Sequence, residues 1–272
     1  DPVITRPLRA KSELLKGRPS KAIKILSQGG RHSPESLYLR GISHLEFAQN
    51  QAGTPNEAKG HLRQAMSILR QVLDTERLNY AAEINLDLVR VLLNEGGNAA
   101  LSRLRTFRDH TTTRTNRVVS KSLPFVAYGV ALAHRKQFKS AENQFRSALG
   151  IDPDDYRTHW FFCQLLDKQF QSRKAISHCR RALSNPHFLP ARKKMADIAE
   201  ANDDHGAVVE ALMDLVKSGR GAGVDIRRLA RSLARGGRSG DLRRLQTDFA
   251  ANWGTTERAF VDGVLALETG QK

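Results

Sequence analysis

The side chains best suited to chemistry gather in one central stretch. His159 and Cys163 stand one helical turn apart, and His178 and Cys179 are adjacent on the segment that follows. Imidazole and thiolate are preferred zinc ligands, but a structural zinc site needs four of them converging at bonding distance. Neighbouring residues on a helix point in different directions, so His178 and Cys179 cannot both aim at one ion. The expectation is no metal, with Cys163 and Cys179 as buried, reduced thiols acting as small apolar side chains. The alternative, a disulfide between them, requires an oxidising compartment.

A second candidate is Gly219-Arg220-Gly221-Ala222-Gly223, glycine-rich and ahead of a helix. A phosphate-cradling loop would follow a strand and continue into Gly-Lys-Ser/Thr, and neither is present, so it reads as a linker. The sequence holds no Gly-x-Ser-x-Gly elbow and no His-Glu-x-x-His. These readings predict a protein that is not an enzyme, with no catalytic residues and no cofactor.

The third candidate is charge. Forty-four Lys and Arg against 28 Asp and Glu give a formal charge of +16. Arg227, Arg228, Arg231, Arg235, Arg238, Arg243 and Arg244 crowd one segment, and Arg173, Lys174, Arg180, Arg181, Arg192, Lys193 and Lys194 precede it. Arginine's planar fork suits carboxylate and phosphate. It is also an ordinary helix-surface residue, so a solvated face competes with an anion-binding surface. Of this set, Arg227, Arg228, Arg231, Arg235, Arg243 and Arg244 are the candidate basic surface.

The elements that must position these residues are helices. Phe125, Tyr128, Gly129 and Leu132 recur at steps of three and four, which places them on one helix face. A matching face carries Ala141, Phe145 and Ala148. The pattern then repeats: Cys163 replaces Gly129, Leu166 replaces Leu132, and Ala175, Cys179 and Ala182 replace Ala141, Phe145 and Ala148, each about 34 residues on. Small residues at Gly129/Ala141 and Cys163/Ala175 would let paired helices approach closely. Asp152-Pro153 and Asn185-Pro186 end the second helix of each copy, because proline cannot continue the ladder and its predecessor avoids the helical region.

This stretch resembles the tetratricopeptide repeat (TPR) family, whose unit is a helix–turn–helix with small residues where its helices touch. The resemblance implies an all-α, right-handed superhelical solenoid. Residues 3–110 read as about three TPR-like hairpins, one with a long inter-helix insertion between Ala48 and Pro55. Residues 111–121, within the polar, threonine-rich tract, form a connector. Residues 122–189 hold the two consensus repeats, 190–253 two degenerate hairpins, and 254–272 a terminal helix serving as cap or truncated repeat. Ser33-Pro34-Glu35 is a helix start, and Gly29-Gly30 a stop.

At 40% hydrophobic and 26% charged residues, the composition is that of a folded chain. No apolar run approaches the roughly 18–20 residues that cross a bilayer. Cytoplasmic location is the favoured expectation; because the chain starts at Asp1, a periplasmic or membrane-anchored parent is the alternative.

In TPR arrays the concave surface comes mainly from the first helix of each repeat. Carried over by position, that implies a peptide groove of Tyr38, Ile42, Val126, Val130, Arg157, Trp160, Gln164 and Lys194. Some members clamp a carboxylate tail with Lys and Asn, but Val126 and Val130 occupy those places here. The expected function is a non-enzymatic adaptor binding a protein segment that has apolar anchors and acidic flanks. The alternatives are nucleic-acid or polyanion binding through the Arg-rich half, and a structural segment of a larger secretion or envelope assembly.

Overall fold

The computed structural model describes residues 2–28, 32–50, 54–110 and 120–268, and every regular element among them is helical. Gly29-Gly30, the middle of the Ala48–Pro55 insertion and most of the 111–121 connector lie outside the described residues. The chain divides into two compact units, Asp1–Leu165 with Arg181–Leu189, and Leu166–Arg180 with Pro190–Lys272.

The first unit opens with α1 (Pro2–Leu15) and α2 (Pro19–Leu26), followed by α3 (Pro34–Gln49) and α4 (Pro55–Thr75). Next come α5 (Tyr80–Leu92) and α6 (Gly97–Asp109), then α7 (Leu123–His134) and α8 (Phe138–Ile151). Most of α9 (Tyr156–Lys168) also belongs to this unit. Each helix packs on the next along the chain from α1 to α8, and first helices also touch one another, α1 on α3, α3 on α5 and α5 on α7. That second set of contacts makes a row of hairpins into an array.

Local sequence explains the boundaries. Ser33 caps α3 by accepting from the Ser36 amide at 3.2 Å, with Pro34 in the first turn. Thr54 and Glu57 form a reciprocal capping box at the start of α4. Asn79 caps α5, and its Oδ1 accepts from the Ala82 amide at 3.0 Å. The α8 helix stops at Ile151, immediately before Asp152-Pro153.

Close approach of paired helices depends on glycine. A Cβ on Gly129 of α7 would stand 2.7 Å from Phe145 Cε1 of α8, and one on Gly41 of α3 would stand 3.1 Å from Leu69 Cδ2 of α4. The partner of Gly129 is thus the buried ring of Phe145, with Gln144 beside it, while Ala141 is fully buried on the same helix. Where α5 meets α6, a buried carboxylate replaces a small residue. Asp87 accepts from Arg103 Nε at 2.8 Å and from Arg90 Nη1 at 2.9 Å, the pairing that a buried charge requires.

In the second unit most of α10 (Ser172–Ala182) and of α11 (Leu189–Glu200) precede α12 (His205–Lys217), α13 (Gly223–Arg235), α14 (Ser239–Phe249) and α15 (Thr255–Glu268). The terminal helix α15 packs on both α13 and α14, with Val261 and Leu265 buried. Ion pairs join successive hairpins, Arg180 to Glu210 at 2.6 Å and Arg228 to Asp197 at 2.8 Å and to Glu200 at 2.7 Å, while Arg192 to Asp214 at 3.6 Å ties α11 to α12 within one hairpin.

One turn recurs across the chain. After α1, α5, α7, α9, α11 and α13 a residue adopts left-handed φ: Gly17, Asn94, Lys136, Phe170, Asp203 and Gly237. In each case the next amide returns to a carbonyl five residues earlier, as in Arg18 to Glu13, Gln137 to Leu132 and Arg238 to Leu233. This is the Schellman closure of a helix C-terminus. The last four positions lie 34, 33 and 34 residues apart, so the period persists where the side-chain pattern has decayed.

Candidate functional site

A cavity of about 220 Å3 lies in the first unit against its first helices. From α3 come Tyr38, Ile42 and Glu46, spaced by four and therefore on one face. Asn85 and Leu88 come from α5, Val126 and Val130 from α7, and Arg157 and Trp160 from α9. Phe188 closes one side. Of the eight residues expected in a groove, six line this cavity. Gln164, half-buried on α9, does not, and Lys194 lies in the second unit, where its ammonium pairs with Asp167 at 2.6 Å.

The walls are apolar and the polar groups are few. Arg157 Nη2 contacts Glu46 Oε1 at 2.8 Å, and Arg157 Nε donates to the Tyr156 hydroxyl at 3.0 Å. Burial raises the Glu46 pKa, and the Arg157 charge opposes part of that rise. In return the Glu46 carboxylate raises the Arg157 pKa, so the guanidinium stays charged. The Tyr38 hydroxyl accepts from Asn85 Nδ2 at 3.3 Å, and burial pushes its pKa up to about 12. It is a neutral donor at any physiological pH.

Trp160 is only 4% exposed. Its ring meets Phe188 edge-on at 5.7 Å, and its Nε1 donates to Asn50 Oδ1 at 3.2 Å. The residue therefore holds the array together and offers the cavity one edge. Asn50 Nδ2 is buried without a partner among the described residues, which leaves a donor at the cavity wall unsatisfied.

Sequence reasoning missed Glu46, Asn50 and Asn85. Glu46 carried a signal, since it continues the Tyr38–Ile42 face by one more turn. Asn85 is a polar residue inside the strongly apolar α5, and its burial marks it. The His44–His61 pair was also missed: their Nδ1 atoms lie 2.7 Å apart, and Phe47 stacks on His61 at 3.8 Å. Burial and the neighbouring His61 lower the His44 pKa to about 4.

The remaining candidates resolve as follows. The expectation of reduced thiols is corrected: Cys163 and Cys179 are both disulfide-bonded. Both are fully buried, as expected of core positions, but neither is a free thiol. His159 is occupied as well, its Nε2 lying 2.9 Å from the Pro153 carbonyl. Among the described residues no group of three or more His, Cys, Asp or Glu could hold a metal ion, and no helix is long and apolar enough to cross a membrane. The Gly219–Gly223 segment links α12 to α13, and Asp225 caps the new helix by accepting from the Ala222 amide at 2.9 Å.

The basic surface is partly committed to structure. Arg228 bridges Asp197 and Glu200, Arg227 pairs with Glu257, and Arg231 reaches Glu200 at 3.8 Å. Arg235, Arg243 and Arg244 are exposed.

Helix hairpins closed by one recurrent turn, with first helices sharing a cavity, define a TPR-like helical-repeat architecture. No family model and no curated protein matches the sequence. Similar solved structures include MamA from residue 41 onward, of Desulfovibrio magneticus, at 17% identity and TM-score 0.37, covering 68% of this chain and 96% of that one. PilW, a type IV pilus biogenesis factor, is 15% identical at TM-score 0.41, with 78% and 91% covered. A tetratricopeptide repeat protein from Parabacteroides merdae is 14% identical at TM-score 0.39, with 85% and 87% covered.

Proposed function

We propose that this chain is a non-enzymatic adaptor whose first unit binds a segment of another protein along α3, α5, α7 and α9. The observation that carries the reading is the cavity itself, apolar-walled and furnished with an unsatisfied buried donor. Ligand pockets have this composition, with a few placed polar groups fixing orientation. At about 220 Å3 it falls below the roughly 300–1,000 Å3 usual for whole small-molecule ligands, and so suits an anchoring side chain better. Polyanion binding is less well supported, because three of the six candidate arginines are engaged with carboxylates.

The test is site-specific photocrosslinking from position 49 at the cavity edge, in the native host and after nuclease treatment. The expected result is a crosslink to a defined protein segment that is lost when Val130→Trp fills the cavity. A crosslink unchanged by Val130→Trp, or one abolished by nuclease, overturns the reading.

A further inference from the structure

We propose that the cavity selects a segment whose apolar anchor is flanked by lysine or arginine, a basic rather than an acidic ligand. The inference rests on the groove reading above and goes beyond it by naming the ligand's charge. It opposes the expectation of acidic flanks, which came from a basic rim around the groove.

Among the described residues the lining holds three carboxylates, Glu46, Asp152 and Asp155, against one guanidinium, Arg157. That guanidinium is already occupied by Glu46 and by the Tyr156 hydroxyl. Asp155 spends its oxygens on the first turn of α9, accepting from the Arg157 amide at 3.2 Å and the Thr158 amide at 3.3 Å. Asp152 is exposed, and it caps the C-terminus of α8, where the helix dipole adds further negative potential. Lys121 stands next to the lining residues Ser120 and Ser122 and is exposed, but it does not line the cavity. A ligand carboxylate at this rim would face Asp152 and Asp155 with no free cation among the described lining residues to meet it. A ligand ammonium or guanidinium would find both.

Within the apolar part, the unsatisfied Asn50 Nδ2 and the Tyr38 hydroxyl are donors. An extended peptide supplies the matching acceptor in the backbone carbonyl beside its anchor. The local field is thus opposite in sign to that of the whole molecule, at +16. Long-range attraction favours any acidic peptide; only contact at the cavity favours a basic one.

The test uses fluorescein-labelled Gly/Ser peptides with one central Phe flanked by two Lys, two Glu or two Ser, titrated against the full chain by anisotropy. The Lys-flanked peptide is expected to bind about tenfold tighter than the Glu-flanked one, since an exposed ion pair gains up to about fivefold and the like-charge alternative loses. Asp152→Asn should shrink that preference about fivefold without abolishing binding. Val130→Trp should abolish binding of all three, with circular dichroism confirming that the variant is folded. If Glu and Lys peptides bind equally, or Glu wins, and Val130→Trp still abolishes both, the charge inference falls and the groove reading stands. If only the Glu peptide binds and Val130→Trp has no effect, the arginine surface is responsible and both fall. If no peptide binds, both fall as well.

Discussion

Replacing Gly129 with alanine should destabilise the protein, although alanine is the better helix former. Two terms of opposite sign decide the outcome. The helix-propensity gain is about 1 kcal/mol. Against it, the new methyl would lie 2.7 Å from Phe145 Cε1 and 2.9 Å from Cδ1. The ring cannot slide away cheaply, because Phe145 is 1% exposed and packs against Phe162 at 5.7 Å. Overpacking of this kind costs about 1–3 kcal/mol, so the net loss is about 0–2 kcal/mol. Gly60 supplies the internal control, being helical, exposed and with nothing within 4 Å of its would-be Cβ. Gly60→Ala keeps the propensity gain alone and should stabilise by up to about 1 kcal/mol. The assay is urea denaturation of both variants beside wild type, with Phe145→Leu added to the Gly129→Ala background to relieve the contact. A Gly129→Ala variant as stable as Gly60→Ala, or unaffected by Phe145→Leu, would refute the proposed packing of α7 on α8.

Three further outcomes are expected. Phe170 is 93% exposed and holds φ of 58°, a conformation that costs a side-chain-bearing residue about 1–2 kcal/mol, so Phe170→Gly should stabilise the fold by about 1 kcal/mol in the same denaturation assay. His44, lowered to about 4 from 6.5, stays neutral in the folded state while the unfolded chain takes up a proton. Stability should therefore fall as pH drops from about 6.5 to about 4, by up to about 3 kcal/mol, and His44→Gln should flatten that window in urea titrations run at several pH values. Thiol titration of the denatured protein should find no free thiol before reductant and two after it; two at the outset would contradict the disulfide.

The sequence by itself determined the helical class and the repeat. Steps of three and four at Phe125, Tyr128, Gly129 and Leu132 fix a helix face, and prolines and capping residues fix its ends, because these are local effects within a few residues. Tyr38, Ile42, Val126, Val130, Arg157 and Trp160, expected in a groove from their repeat positions, all line one cavity, since a repeat carries a surface position from unit to unit. Only the tertiary structure decided what each small residue faces, as when Gly129 proved to meet Phe145. It also decided which arginines are spent. Arg228 looks identical in sequence to Arg243, yet only the former has Asp197 and Glu200 within reach. Net charge is a sum over the chain, and the sign of the field in one cavity depends on which few charges face it. At this cavity those are Glu46, Asp152 and Asp155 around an occupied Arg157, a grouping that α3, α8 and α9 create only when packed together.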